Sequence, residues 1–201
     1  MIRVLVAEDQ AMVRGALVSL LSLEDDITVV AEVERGDQAV AAARTHRPDV
    51  ALLDVEMPGL DGIAAAAEIA REAPETRSLI LTTFGRPGYL RRAMQAGADG
   101  FVVKDTPAAQ LADAVRRVHQ GLRVVDPALA MDSLTVGDSP LTERETDVLR
   151  AASDGAAVAV IAGRVHLSPG TVRNHLSSAI GKTGAANRSE AVQIATSHGW
   201  L

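Results

Sequence analysis

The sequence predicts an α/β unit, a doubly wound parallel sheet of five strands, followed by a small all-α unit of four helices. Three observations carry that expectation. Over residues 1–121 short β-branched or aliphatic runs alternate with stretches of helical period. The runs are apolar almost throughout, as strands covered on both faces must be. Beyond residue 141 such runs cease, and helix-capping residues recur at short intervals.

The strand runs are "IRVLVA" (2–7), "TVVAEV" (28–33), "VALLD" (50–54), "SLILTT" (78–83) and "GFVVK" (100–104). After the first, Met12, Val13, Ala16, Leu17, Leu20 and Leu21 recur at helical spacing and are expected on one face. After the fifth, Leu111, Ala114, Val115 and Val118 form a second stripe, with Arg116 and Arg117 turned outward. Thr106 is placed to cap that helix and Pro107 to fill its first position. Gly97 and Gly121 sit where helices stop. Residues 122–140 hold Pro, Gly, Asp and Ser without sustained period, and read as a linker with one short helix near Pro127–Leu134. Thr142-x-x-Glu145 is a capping box that opens the first helix of the second unit. The short helix "VAVIAGR" follows, Ser168 and Pro169 open a third, and Asn187-x-x-Glu190 opens the last, ending near His198. The expected domains are therefore 1–121 and 141–201, joined by 122–140.

Composition narrows the function. With 47% hydrophobic and 23% charged residues the chain has a soluble globular profile. No run is long enough to span a membrane and no basic-then-apolar leader opens it, so neither membrane insertion nor cleavage is expected. The absence of cysteine excludes disulfides and thiolate metal sites and suits a reducing cytoplasm. At 2%, aromatics are too few for a base-stacking surface or an aromatic-lined cavity. The net charge of −6 is uneven: residues 1–121 hold 13 Lys/Arg against 18 Asp/Glu, whereas beyond Gly155 Arg164, Arg173, Lys182 and Arg188 face only Glu190. An acidic front and a mildly basic tail point to two modules with different partners.

The stretch "LLDVEMPGLDG" (52–62) runs an apolar strand into a carboxylate and then breaks it at Pro58-Gly59. A buried, unpaired charge costs several kcal/mol or more, so Asp54 needs a surface, a partner or a chemical role. Ligands of a doubly wound sheet bind beyond the carboxyl ends of its strands. Those ends carry Glu8-Asp9, Asp54, Thr82-Thr83 and Lys104. Taken singly they read as a turn, a strand threonine and a surface lysine; falling together at four strand ends, they read as one polar site. Clustered carboxylates favour a hard cation such as Mg²⁺. Beside it a carboxylate can act as nucleophile toward a phosphoryl group, whose oxygens Lys104 and Thr82 would hold.

On "VLVAEDQ", "LLDVEMPGLDG", "LILTTF" and "AGADGFVVKD", residues 1–121 resemble the receiver domain of bacterial two-component response regulators, which has the flavodoxin-like fold. The resemblance implies that Asp54 is the phosphoacceptor. It also implies that Asp9 and Asp54 bind Mg²⁺, with Glu8 through water and the main-chain carbonyl of Glu56. Thr82 and Lys104 would contact the phosphoryl group, and Phe101 matches the family's switch aromatic. Two departures stand out: Glu8 where many members have Asp, and Asp105 after Lys104 where many have proline.

On "LTERETDVL" and "LSPGTVRNHLSSAIGKTGAANRSEAV", residues 141–201 resemble the helix-turn-helix domain shared by the NarL/FixJ and LuxR groups. The residues agree: Val172, Leu176, Ala179 and Ile180 form one apolar face of the third helix, and Arg173, Asn174, Ser177 and Ser178 the other. A cation and an amide suit a helix that reads the major groove, and Lys182 and Arg188 suit phosphates. Here too there are departures. "GAAVAVIAGRV" puts Val158 and Val160 in a helix that is usually polar, and Thr183 stands at a usually aliphatic position.

The whole chain thus resembles a NarL/FixJ response regulator of the DesR-like branch. That implies a cytoplasmic transcription regulator, not an enzyme. A sensor histidine kinase would phosphorylate Asp54, and the protein would then dimerise and bind promoter DNA, with no membrane partner. A haloacid dehalogenase-type phosphatase is disfavoured because Asp54-Val55-Glu56 lacks the Asp-x-Asp motif. A ligand-sensing LuxR-type regulator is disfavoured because the front half has only Phe84, Tyr89 and Phe101 as aromatics. The complete acidic and Lys/Thr set argues against a phosphorylation-independent pseudo-receiver.

Overall fold

All five expected runs form strands of one parallel sheet in the computed structural model, which describes residues 1–83, 87–126, 129–130 and 139–201. The strands are β1 (Ile2–Ala7), β2 (Ile27–Val33), β3 (Val50–Asp54), β4 (Arg77–Thr82) and β5 (Gly100–Val103). A sixth, β6 (Val124–Val125), corrects the expected count of five: it pairs with Gly100 and Phe101 at the edge of β5. Two residues are too short a run for an alternation signal, and they lie in the segment read as linker. The order is β2-β1-β3-β4-β5-β6.

Five helices cross between the strands: α1 (Ala11–Leu21), α2 (Gly36–His46), α3 (Gly62–Glu72), α4 (Pro87–Gln95) and α5 (Ala108–His119). Side chains alternate along a strand, so Val4, Val6, Leu52, Leu79 and Leu81 share one sheet face. Leu17 and Leu21 of α1 cover it together with Leu111, Val115 and Val118 of α5. Each such fully buried aliphatic side chain stabilises the fold by about 1.5–3 kcal/mol. Leu5, Leu53, Ile80 and Phe101, equally buried, point the other way, where α2 and α3 pack.

Two helix expectations need correction. In α1 Val13, Leu17, Val18 and Leu21 turn inward; Ala16 is exposed, Met12 is 86% and Leu20 39% exposed. Met12, Ala16 and Leu20 share the four-residue spacing of Val13, Leu17 and Leu21 but sit one position back, which turns them off the face that meets the sheet. In α5 Thr106 does not cap. Pro107 takes the N-cap position, its carbonyl accepting from the Gln110 and Leu111 N–H groups at 2.9 and 3.0 Å. The short helix expected near Pro127–Leu134 lies outside the described residues apart from 129–130.

The C-terminal unit has a separate core. Its helices are α6 (Glu143–Ala151), α7 (Val158–Arg164), α8 (Pro169–Thr183) and α9 (Arg188–Ser197). Thr142, Ser168 and Asn187 all cap as expected, Thr142 and Glu145 forming the reciprocal box. Val158 packs against the core, whereas Val160 is 50% exposed. The Thr183 hydroxyl donates to the Ala179 carbonyl at 2.8 Å, which satisfies it inside its own helix.

Two glycine substitutions should move stability in opposite directions. A Cβ on Gly15, in the middle of α1, would meet nothing within 4 Å. Gly15→Ala should therefore stabilise by about 0.5–1 kcal/mol in urea unfolding. A Cβ on Gly62 would lie 1.9 Å from the Asp54 carbonyl oxygen. Gly62→Ala should destabilise by about 1–3 kcal/mol or more.

Candidate functional site

From β1 the chain passes to β2 on one side and then to β3 on the other, so the order reverses between β1 and β3. A crevice opens beyond the carboxyl ends of strands at such a reversal. Glu8 and Asp9 follow β1, Asp54 ends β3, Thr82 ends β4 and Lys104 follows β5. The structure brings them together. Carboxylate oxygens of Glu8, Asp9 and Asp54 all lie within 4.8 Å of one another. The Lys104 ammonium stands 2.7 Å from Glu8 Oε2 and 3.0 Å from Asp54 Oδ1.

Backbone bonds place these groups. The Lys104 N–H donates to the Thr82 carbonyl at 2.8 Å, joining the ends of β4 and β5. The Gln10 N–H donates to Glu8 Oε1 at 3.2 Å. Gly62 lets α3 start against the Asp54 carbonyl, and Asp61 caps that helix by accepting from the Ala64 N–H at 2.7 Å. Thr82 and Phe101 are buried; Asp9 and Glu56 are exposed. Sequence reasoning missed Arg14, whose guanidinium donates to the Glu8 carbonyl at 2.6 Å and ties α1 to the acidic loop. An arginine six residues past the acid leaves no periodic trace.

Burial is the main cause that raises the Asp54 carboxyl, from 3.8 to about 6. The neighbouring Glu8 and Asp9 charges push the same way and the Lys104 ammonium pulls back. For Lys104 burial works against the charged form, but Glu8 and Asp54 outweigh it and the pKa is raised. Glu8 Oε2 is buried, and its partner is the Lys104 ammonium, which it shares with Asp54. Three close carboxylates that share a single ammonium fit a hard divalent cation.

In the helical unit, Arg173, Asn174 and Ser177 are exposed on one face of α8 while Val172, Leu176 and Ala179 are buried on the other. The remaining two expected contacts are already engaged. Arg188 donates to the Ala156 and Gly155 carbonyls at 2.7 and 3.1 Å. The Lys182 ammonium donates to Glu145 Oε2 at 2.7 Å, so a phosphate would share it with that carboxylate. Glu145, seen in the sequence only as a cap, also accepts from the Ser178 hydroxyl and the Thr142 N–H, each at 2.7 Å. Burial alone would raise its carboxyl; Lys182, Ser178 and Thr142 overcome that and hold it at about 2.

Residues 4–116 match the response regulator receiver domain, and residues 139–195 match the luxR family of bacterial regulatory proteins. The chain belongs to the two-component response regulators: a receiver joined to a LuxR-type DNA-binding domain, a regulator of transcription and not an enzyme. Within them it falls in the NarL/FixJ group. It is 44% identical to the transcriptional regulatory protein YvfU and 43% identical to the transcriptional regulatory protein DesR, both of Bacillus subtilis (strain 168). Each similarity spans 201 residues, all of this chain and all of the relative. Among solved structures it is similar to the response regulator ChrA of a heme-sensing two-component system. That similarity has 34% identity and a TM-score of 0.61, and covers 100% of this chain and 98% of that one. Among the described residues no helix is long and apolar enough to cross a membrane.

Two pH dependences follow. A carboxyl raised on folding makes ionisation costly, so stability is lost as pH rises from about 3.8 to about 6. In urea unfolding with chelator, Asp54→Asn should be about 1–3 kcal/mol more stable than the parent at pH 7. The gap should close below pH 4. Glu145 has the opposite sign: its stabilisation is present above pH 4.5 and lost as pH falls toward 2. Glu145→Gln should cost about 1–3 kcal/mol at pH 7 and progressively less on acidification; a cost independent of pH would mean the carboxylate charge is not what holds α6 to α8.

Proposed function

We propose that Asp54 is the phosphoacceptor, with Thr82 and Lys104 holding the phosphoryl oxygens and Phe101 as the switch aromatic. The observation that carries the reading is the Lys104 ammonium, 3.0 Å from Asp54 and 2.7 Å from Glu8 at the strand-order reversal. A carboxylate oxygen of Asp54 attacks the phosphorus of a phosphohistidine on a sensor kinase. The O–P bond forms, the N–P bond breaks, and its electron pair returns to the histidine ring. Asp9, Asp54, the Glu56 carbonyl and Glu8 through water would hold Mg²⁺, which when bound supplies charge neutralisation at the phosphoryl oxygens. Lys104 leaves Glu8 to follow the new negative charge. In this reading the Thr82 hydroxyl turns toward the phosphoryl oxygens, and Phe101 follows it.

The boundaries we propose are 1–121 for the receiver, 122–140 for the linker and 141–201 for the DNA-binding domain, in a cytoplasmic protein without a membrane partner. Phosphorylation makes a homodimer through the receiver. The α1–α5 edge is the favoured surface, since Met12, Leu20 and Leu23 are exposed there and α1 and α5 pack on the same sheet face. The surface from Pro87 to Lys104 is the second choice. Arg116 braces the α1–α5 edge by donating to both Glu24 and Asp26 at 2.6 Å. The paired domains then read promoter DNA with Arg173, Asn174 and Ser177, while Lys182 and Arg188 flank the phosphates.

Acetyl phosphate with Mg²⁺, followed by intact-mass measurement and light scattering, tests both parts. A single adduct of about 80 Da is expected on the parent and none on Asp54→Asn. The labelled parent should scatter as a dimer, and Leu20→Arg should take the label yet stay monomeric. Undiminished labelling of Asp54→Asn would remove the phosphoacceptor assignment; a labelled parent that stays monomeric at high micromolar concentration would remove the dimer.

A further inference from the structure

The helical unit places its cations unexpectedly. From residue 139 on it has six, Arg144, Arg150, Arg164, Arg173, Lys182 and Arg188, against Glu143, Glu145, Asp147, Asp154 and Glu190. Only Arg173 is exposed on the reading face of α8. Arg144, Arg150 and Arg164 instead line one open groove of about 400 Å³ between α6 and the turn after α7, floored by Ala151 and Val165. Against them stand Asp147 in the lining and Asp154 paired with Arg164, so the groove and its edge carry +1, which is the whole excess of the unit.

Helical geometry fixes which way the groove opens. At 3.6 residues per turn, Arg144 and Asp147 fall about a third of a turn round α6 from Glu145 and Leu149, which face α8 and the core, and Ala151 lies at the edge of that core. No residue of α8 lines the groove. DNA read by the outer face of α8 therefore does not fill it, and its volume exceeds that of a single small anion. Two of its guanidinium groups are also available. Arg150 is exposed and forms no ion pair among the described residues, and Arg144 meets Asp147 only at 3.6 Å, half-exposed. Arg164 is held by Asp154 at 2.8 Å and by the Ala151 carbonyl at 3.0 Å, forming a wall.

We propose that this groove is a docking site for an acidic segment of a second protein, occupied while α8 is on DNA. Guanidinium groups bind carboxylates through paired, parallel hydrogen bonds, so two or three in one groove select an Asp/Glu-bearing helix or loop. The apolar floor takes the methylene stems. A regulator needs such a surface if it is to hold another protein at the site it marks. The inference does not depend on phosphorylation of Asp54.

The probe is a fluorescein-labelled peptide of alternating Glu and Ala, titrated with the full-length chain and followed by anisotropy. A labelled random-sequence DNA duplex is titrated in parallel. The parent should bind the peptide. The Arg144→Glu/Arg150→Glu variant should bind it at least about tenfold more weakly, with DNA affinity unchanged. Arg173→Glu should do the reverse. Arg150→Gln gives the milder version of the first effect should charge reversal disturb the fold, which thermal melting monitors. Failure of the parent to bind the peptide, or equal binding by parent and double variant, would overturn the proposal. So would loss of DNA affinity in parallel with peptide affinity, which would make the groove a phosphate contact. Displacement of the peptide by low-millimolar inorganic phosphate would mark a small-anion site and overturn it equally.

Discussion

One ammonium held between two carboxylates organises the first unit. Lys104 is 12% exposed at its side chain, Glu8 and Asp54 are almost fully buried, and three charges so largely removed from solvent are costly unless they are close. Closeness across three strands demands a parallel sheet whose carboxyl ends share an edge. It also demands short turns from strand into helix, hence a glycine at Gly62, where α3 begins against the Asp54 carbonyl. The apolar runs of β1, β3 and β5 hold these ends at fixed spacing, and their burial offsets the unfavourable electrostatics. The geometry is thus a balance in which removing or adding a charge shifts every partner.

The two units treat a buried carboxylate in opposite ways. Asp54 and Glu145 are 3% and 4% exposed, yet one titrates at about 6 and the other at about 2. Burial acts with the same sign on both, so the difference is their company. Asp54 shares one cation with Glu8 and lies near Asp9. Glu145 has an ammonium, a hydroxyl and a backbone N–H directed at it alone. The first is left with its ionisation disfavoured. The second is a rivet between α6 and α8, and it ties down the ammonium of Lys182, whose side chain is otherwise exposed.

What was legible in the sequence was what repeats or what caps. Strand runs of four residues or more, the inward stripe of α5 and the three polar N-caps of the helical unit all carry a local period or a fixed offset. The site residues were legible because strand ends can be read from the strands. Features that depend on the third dimension were not. The two-residue β6 has no period, Met12 and Leu20 share the spacing of the buried row, and Arg14 reaches Glu8 across a turn. Lys182 looks like any exposed cation until Glu145, 37 positions earlier, is found beside it.

The scarcity of charge on the reading face of α8 bears on how the protein is distributed in a cell. Most DNA is competitor, and attraction to it comes almost entirely from counterions released by Lys and Arg. If α8 reads DNA as proposed, a face with Arg173 alone, flanked by Asn174 and Ser177, adds little to the hold on random sequence. Lys182 and Arg188 are already partly engaged within the protein. Fewer copies are then stored along the chromosome, and more remain free to diffuse in three dimensions. Occupancy of a true site, which depends on the ratio between specific and random binding and on the number of competing positions, would respond to changes in the free pool with little genomic buffering.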